Sequence, residues 1–225
     1  MSKIAVILAG AGVKDGSEIH EATLTLFFLD ELGCDVQCFA PNRNQYHVVN
    51  HLTDDESLNS ERNILTEAAR IARGNVLPID KLGINDYDAI IFPGGFGSAK
   101  NLCNYAIKGQ TFDVFPDIAK VIIDGHQAKK VMGFICIAPV MAAKLIPGVR
   151  LTVGHSNETV NHVKVLGASH QDCPVEEVVW DQANQIVSTP AYMLGPSIKD
   201  IGAGIRRLCQ TVHEKCSEKL IGTKG

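Results

Sequence analysis

Val131-Met132-Gly133-Phe134-Ile135-Cys136-Ile137-Ala138-Pro139-Val140 is an apolar run that passes straight into a cysteine and then into a helix-forming segment. Its pattern predicts a strand over 130–135 and a helix over 138–145. A strand-to-helix turn this tight lifts one side chain above the carboxyl edge of a sheet, usually with backbone strain. Small Gly133 and Ala138 leave room for the turn. A cysteine there stands at a helix N-terminus, where the dipole favours the nucleophilic thiolate. The plainer alternative is an inert thiol that closes a core strand. The elbow context favours the nucleophile.

Outward from this segment, strand and helix alternate. Ile4–Leu8, Val36–Ala40, Ala89–Phe92 and Val149–Val153 are short apolar runs of the kind buried on both faces of a sheet. Helical spacing covers 17–32, 61–72, 114–127, 157–166 and 197–215, with Gly33 and Gly74 as stop signals. Residues 17–32 carry the stripe Ile19, Ala22, Leu26, Leu29 and Leu32. Residues 175–180 and 185–188 form a hairpin around Asp181-Gln182-Ala183-Asn184, 43–60 is a polar excursion, and 219–225 is a frayed tail. The alternation predicts a mostly parallel sheet with helices on both sides. With no repeat and no linker, residues 1–225 read as one domain. Ligands of such sheets bind beyond the carboxyl ends of the strands.

Two further strand-end loops carry candidate groups. Phe92-Pro93-Gly94-Gly95-Phe96-Gly97-Ser98 follows a buried strand. Its glycines admit a close backbone approach, and its N–H groups could stabilise an oxyanion, or they serve the turn alone. Asp15-Gly16-Ser17-Glu18 opens the first helix. An Asp-x-x-Glu capping box accounts for it, and so does a Glu18 carboxylate facing the cysteine as proton carrier.

Net charge is −4 with no basic stripe, which argues against nucleic acid as partner. Seven cysteines without scaffold spacing indicate reduced thiols and a cytoplasmic setting. The opening apolar run is too short for a signal peptide, and no stretch reaches bilayer-spanning length, so no membrane role is expected. Cys34-x-x-x-Cys38 lacks paired histidines and reads as core rather than metal site.

The strings Asp-Gly-Ser-Glu-Ile-His-Glu, Gly-Gly-Phe-Gly-Ser-Ala-Lys-Asn-Leu, Cys-Ile-Ala-Pro and Ser-Thr-Pro-Ala-Tyr-Met together resemble the ElbB group of the PfpI branch of the class I glutamine amidotransferase-like superfamily. The resemblance runs from residue 3 to about 212. It implies a flavodoxin-like three-layer α/β/α sandwich, a Cys136 nucleophile, a Glu18 partner, an oxyanion site near Gly94 and Gly95, and a homodimer. It also implies glyoxalase activity without glutathione or metal, and a link to isoprenoid biosynthesis. The family histidine after the following strand corresponds to His155, one residue off the common offset.

The chemistry expected is addition of the Cys136 thiolate to a small α-oxoaldehyde, glyoxal or methylglyoxal, giving a hemithioacetal. The N–H groups of Gly95 and Ile137 steady the oxygen, Glu18 moves a proton through an enediol, His155 assists, and a 2-hydroxy acid leaves. Water is the only other reactant, so no cofactor is required. Three alternatives stand beside this. Gly10-x-Gly12-x-x-x-Gly16 mimics a dinucleotide fingerprint, although Ala40-Pro41-Asn42 supplies no ribose-binding acid. A non-catalytic regulatory or redox-sensing protein could use the same fold. Peptidase or amidotransferase chemistry lacks a Cys-His-Glu set of convincing spacing.

Overall fold

The computed structural model describes residues 1–195 and 197–222; of 219–222 only the backbone is described. Its elements are β1 (Lys3–Ile7), α1 (Ile19–Glu31), β2 (Asp35–Ala40), α2 (Ile64–Ile71), β3 (Val76–Pro78), β4 (Ala89–Phe92), α3 (Tyr105–Lys108), α4 (Pro116–Gln127), β5 (Val131–Ile135), α5 (Pro139–Leu145), β6 (Arg150–Leu151), α6 (Asn157–Val165), β7 (Ser169–His170), β8 (Val179–Asp181), β9 (Ile186–Thr189) and α7 (Ile198–Gly222). Seven strands form one sheet in the order β3-β2-β1-β4-β5-β9-β8. All its pairings are parallel except β8 with β9. The expected α/β sandwich is therefore observed.

The central strands show why the sheet is covered twice. In β1, Ala5 and Ile7 enter one core while Ile4 and Val6 enter the other. The first core lies under α4, α5 and α6 and contains Ile118, Ile122, Met141 and Val163. Phe92 and Phe134, opposite each other on β4 and β5, stack there at 4.8 Å. The second core lies under α1, α2 and α7, with Leu29, Ile64, Ile201 and Leu208. A Cβ at Gly133 would stand 3.0 Å from Leu208 and 3.2 Å from Ile91, so this glycine lets α7 rest close on β5.

Several boundaries differ from the sequence reading. The run 149–153 keeps only two residues as β6, paired with β7 in a separate small sheet. Beyond it, side chains take over the ladder: Thr152 N donates to Ser188 Oγ (3.0 Å) and Val153 N to His170 Nε2 (3.3 Å). The hairpin is present but shorter, because Asp181 accepts from Asn184 N and Nδ2 and tightens the turn. The edge strand β3 is three residues ending in proline, with Leu77 exposed, too short for a periodic signal. The last helix continues to Gly222 instead of fraying from 219, and 223–225 lie outside the described residues. No helix among the described residues is long and apolar enough to cross a membrane.

Strand order reverses between β1 and β4: β2 and β3 extend to one side, β5 and β9 to the other. The loops after β1 and β4 diverge there, and the crevice they leave is the expected ligand position.

Candidate active site

Cys136 follows β5 with φ +63°, in the left-handed region that a side chain seldom occupies. Its N–H donates to Thr189 O (3.0 Å), and Ala138 N returns to Ile135 O (3.0 Å). The chain is thus tied to β9 on one side and turned into α5 on the other. Holding a non-glycine residue there costs on the order of 1 kcal/mol or more, so the surrounding bonds must dictate it. The side chain is 8% exposed and opens into a cavity of about 620 Å³.

Beneath the sulfur lies Glu21, not Glu18. Glu21 is fully buried in the first turn of α1 and shares a hydrogen bond with the Cys136 thiol. Its Oε2 accepts from Gly94 N (2.9 Å) and its Oε1 from Tyr192 N (3.4 Å). Burial, and next the charge of Glu18, raise its carboxyl from 4.5 to about 8. The Cys136 thiol is pushed well above its ordinary range by burial and by Glu21, although hydrogen bonds from the Gly95 and Ile137 N–H groups pull the other way. The expectation of a thiolate favoured by the helix end therefore needs correction. Desolvation outweighs a seven-residue helix that begins three positions further on.

Glu18 has a different task. It is the N-cap of α1, with Oε2 accepting from Glu21 N at 2.7 Å. The capping pair is Glu18 with Glu21, three residues later than the Asp15–Glu18 box read from sequence. Glu18 still lines the cavity beside Cys136, and His20 stands 3.9 Å from it. Asp15 instead turns inward and accepts from Val49 N (2.8 Å).

The two glycines also separate in role. A Cβ on Gly94 would stand 2.5 Å from Cys136 Cβ and 2.6 Å from Glu21 Oε2, so nothing larger fits. Its N–H is already given to Glu21, which removes it from the oxyanion donors proposed for this loop. Gly95 has φ +95°, and its N–H, like that of Ile137, points at the sulfur. Those two donors form the pair able to meet a negative oxygen formed next to Sγ.

His155 is not brought to the site. Its side chain is 61% exposed and lies 3.6 Å from Asp172. It belongs to the turn after β6, where loss of the ladder carries the chain outward. The histidine on the cavity wall is His162 of α6, bonded through Nδ1 to Tyr105 Oη at 2.9 Å. Helical phase was the signal for Glu21. The buried positions of α1 are 21, 22, 25, 28 and 29, so a glutamate lies within the stripe, whereas Ile19 is 47% exposed.

This is the class of α/β proteins built around a strained cysteine at a nucleophile elbow, backed by a buried glutamate. No family model matches the chain. It is 43% identical over 222 residues, 95% of its length, to the human glutamine amidotransferase-like class 1 domain-containing protein 3, mitochondrial, and spans 83% of that protein. It is likewise 43% identical to the rat mitochondrial ES1 protein homolog, over 95% of this chain and 84% of that one. Among solved structures, an isoprenoid biosynthesis protein with an amidotransferase-like domain from Ehrlichia chaffeensis superposes with a TM-score of 0.87 at 36% identity, over 95% of this chain and 99% of that one. A DJ-1 superfamily protein from Salmonella typhimurium shares the fold, with a TM-score of 0.53 at 23% identity over 99% and 91% of the two chains. The chain belongs to the class I glutamine amidotransferase-like proteins, as a homologue of the ES1 proteins.

Proposed function

We propose that this protein is a glyoxalase-type enzyme that converts α-oxoaldehydes to 2-hydroxy acids through Cys136, with water as the only co-reactant. The observation that supports this reading is the Cys136–Glu21 hydrogen bond at the floor of a cavity, with the Gly95 and Ile137 N–H groups bonded to the same sulfur.

The chemistry follows from that pair. With Glu21 ionised, its carboxylate takes the thiol proton as sulfur bonds to the aldehyde carbon. The aldehyde oxygen gains that proton and the hemithioacetal forms. Glu21, again a carboxylate, removes the hydrogen from the former aldehyde carbon and returns it to the neighbouring carbon through an enediol, while the hydroxyl proton passes from the first oxygen to the second. The product is a thioester of the 2-hydroxy acid. Water cleaves it, releasing the acid and restoring the thiol. Glu21 takes over the proton transfers first assigned to Glu18, and Glu18 acts by raising the Glu21 carboxyl. Because Glu21 gains its charge only near pH 8, turnover rises with pH up to about that value.

The protein is further proposed to act as a homodimer in the cytoplasm, a compartment compatible with cysteines that form no disulfide among the described residues. The test is D-lactate or glycolate formation from methylglyoxal or glyoxal by wild type and Cys136→Ala. Loss of turnover in the variant supports the reading. Equal inactivity of both from pH 6 to 9 leaves the non-catalytic, regulatory reading in its place.

A further inference from the structure

The cavity above Cys136 is much larger than a two- or three-carbon aldehyde requires. Its volume, about 620 Å³, falls in the range of pockets that enclose drug-sized molecules. Its walls are mainly apolar, with Val13, Phe96, Ala99, Ile107, Ile137 and Met193 lining it. Their side chains supply dispersion contacts that a molecule the size of methylglyoxal would leave mostly unused.

Charge is equally one-sided. Glu18 and the exposed Glu158 line the cavity, and no lysine or arginine is among its described lining residues. His162 is engaged with Tyr105. Lys108, between the lining residues Ile107 and Gly109, pairs with Asp113 at 3.0 Å, and Lys14 and Lys100 line a separate recess of about 330 Å³ across Phe96 and Ala106. There Lys14 pairs with Asp54, and Lys100 donates to Lys14 O at 2.9 Å. An anion entering the main cavity would meet the Glu18 carboxylate with no lysine or arginine among the described lining residues to offset it.

We infer that the cavity selects uncharged carbonyl compounds carrying an apolar body of about ten non-hydrogen atoms, and rejects anionic ones. The inference rests on the reading of Cys136 as the group that meets the carbonyl, and it names the substrate class for that site. Specificity lies in the wall built by the loop after β4, by α3 and by α6, apart from the thiol and its glutamate.

Thiol capture tests this independently of turnover. The full chain is treated with iodoacetamide, with N-(2-phenylethyl)iodoacetamide and with iodoacetate, and alkylation of Cys136 is followed by peptide mass spectrometry. Each rate is normalised to that of the same reagent with glutathione. The phenylethyl amide is expected to label roughly tenfold faster than iodoacetamide, and iodoacetate roughly tenfold slower. Ile107→Trp, at a 44%-exposed wall position, should lower the ratio of phenylethyl to iodoacetamide labelling about tenfold, and Ile107→Lys should raise the ratio of iodoacetate to iodoacetamide labelling. Equal normalised rates for all three reagents, or fastest labelling by iodoacetate, would overturn the inference. Turnover separates this outcome from the glyoxalase reading. Selective labelling with no oxoaldehyde of any size converted sinks the glyoxalase reading and leaves the cavity preference standing. Turnover with unselective labelling does the reverse.

Discussion

Two glycine-rich loops lie side by side at the point where strand order reverses, one after β1 and one after β4, and they have opposite fates. The first contains Gly10, Gly12 and Gly16, with φ of +104° and +129° at the first two. Its space is filled from within. A Cβ on Gly10 would meet Gln45 Oε1 at 2.9 Å, and one on Gly12 would meet the His51 ring at 2.7 Å. Its N–H groups are also spent locally, Gly12 N on Ser17 O and Gly16 N on Gly12 O. The resemblance to a dinucleotide fingerprint therefore ends at the spacing. The second loop uses Gly94 to admit a glutamate and a thiol, and Gly95 to turn an N–H toward sulfur. Glycine spacing reports that backbone comes close to something. What it comes close to is set by residues far away in the chain, here 45 and 51 for one loop and 21 and 136 for the other.

The comparison is broken most sharply by adding a methyl group to each loop. Gly94→Ala puts a Cβ into Cys136 and Glu21, neither of which can retreat. Turnover is expected to fall about 100-fold or more, since loss of positioning or of an oxyanion donor costs that much elsewhere. Gly12→Ala meets the tip of a partly exposed histidine and a strained φ. It should lower stability by about 1–3 kcal/mol while turnover per folded molecule changes less than about threefold. Steady-state kinetics alongside urea midpoints reads both. Equal activity losses would mean that the first loop belongs to the site after all.

Glu21→Gln follows in size. Turnover should fall by about two orders of magnitude, the typical worth of a positioned acid–base group. Stability should move the other way in a defined pH window. The Glu21 carboxyl is raised from 4.5 to about 8 in the folded state. Below pH 4.5 both folded and unfolded chains hold the proton, so there is no penalty. Between 4.5 and 8 the unfolded chain ionises while the folded one does not, so stability falls as pH rises, by up to about 1.4 kcal/mol per pH unit from this group. Glutamine does not titrate, and the variant's stability should be flatter from pH 5 to 8. A wild type whose stability rises over that window relative to the variant would contradict the raised carboxyl.

How much of this was legible beforehand follows the range of the interactions. The central strands, the elbow at Cys136 and the glycines after β4 are written in contiguous residues and are found in their expected places, whereas the run 149–153 keeps only two residues as strand. The partner of the thiol was missed by three residues. Glu18 and Glu21 lie on one turn, and the buried phase of α1, at 21, 22, 25, 28 and 29, is what turns Glu21 inward while Glu18 caps the helix. His155 was missed for a different reason. Whether β6 continues to Val153 depends on Ser188 and His170, which claim its N–H groups from other strands. The cavity wall at Tyr105, Ile107 and His162 has no local signature. It forms where the short helix α3 meets α6, two elements without a shared motif.

Glu18→Gln carries the smallest expected effect and bears most directly on the junction of the two loops. Glu18 closes the segment that begins at Gly10, its N–H donates to Gly94 O at 3.0 Å, and its carboxylate caps α1. Glutamine keeps an oxygen to accept from Glu21 N and retains the backbone bond, so the helix start and both loops should persist. Only the charge leaves. Since the charge of Glu18 is the second cause, after burial, of the raised Glu21 carboxyl, its removal should let Glu21 ionise at lower pH. The rising limb of the pH–rate profile should shift toward acid, giving a gain of a few-fold at most near pH 7 and none at pH 9. A merely structural role for Glu18 would instead lower turnover equally at every pH and leave the midpoint in place. A catalytic role of its own would lower turnover far more than a few-fold. The three outcomes are distinct on one pH series, and the acid shift is the one that the cap geometry and the buried glutamate beneath it require.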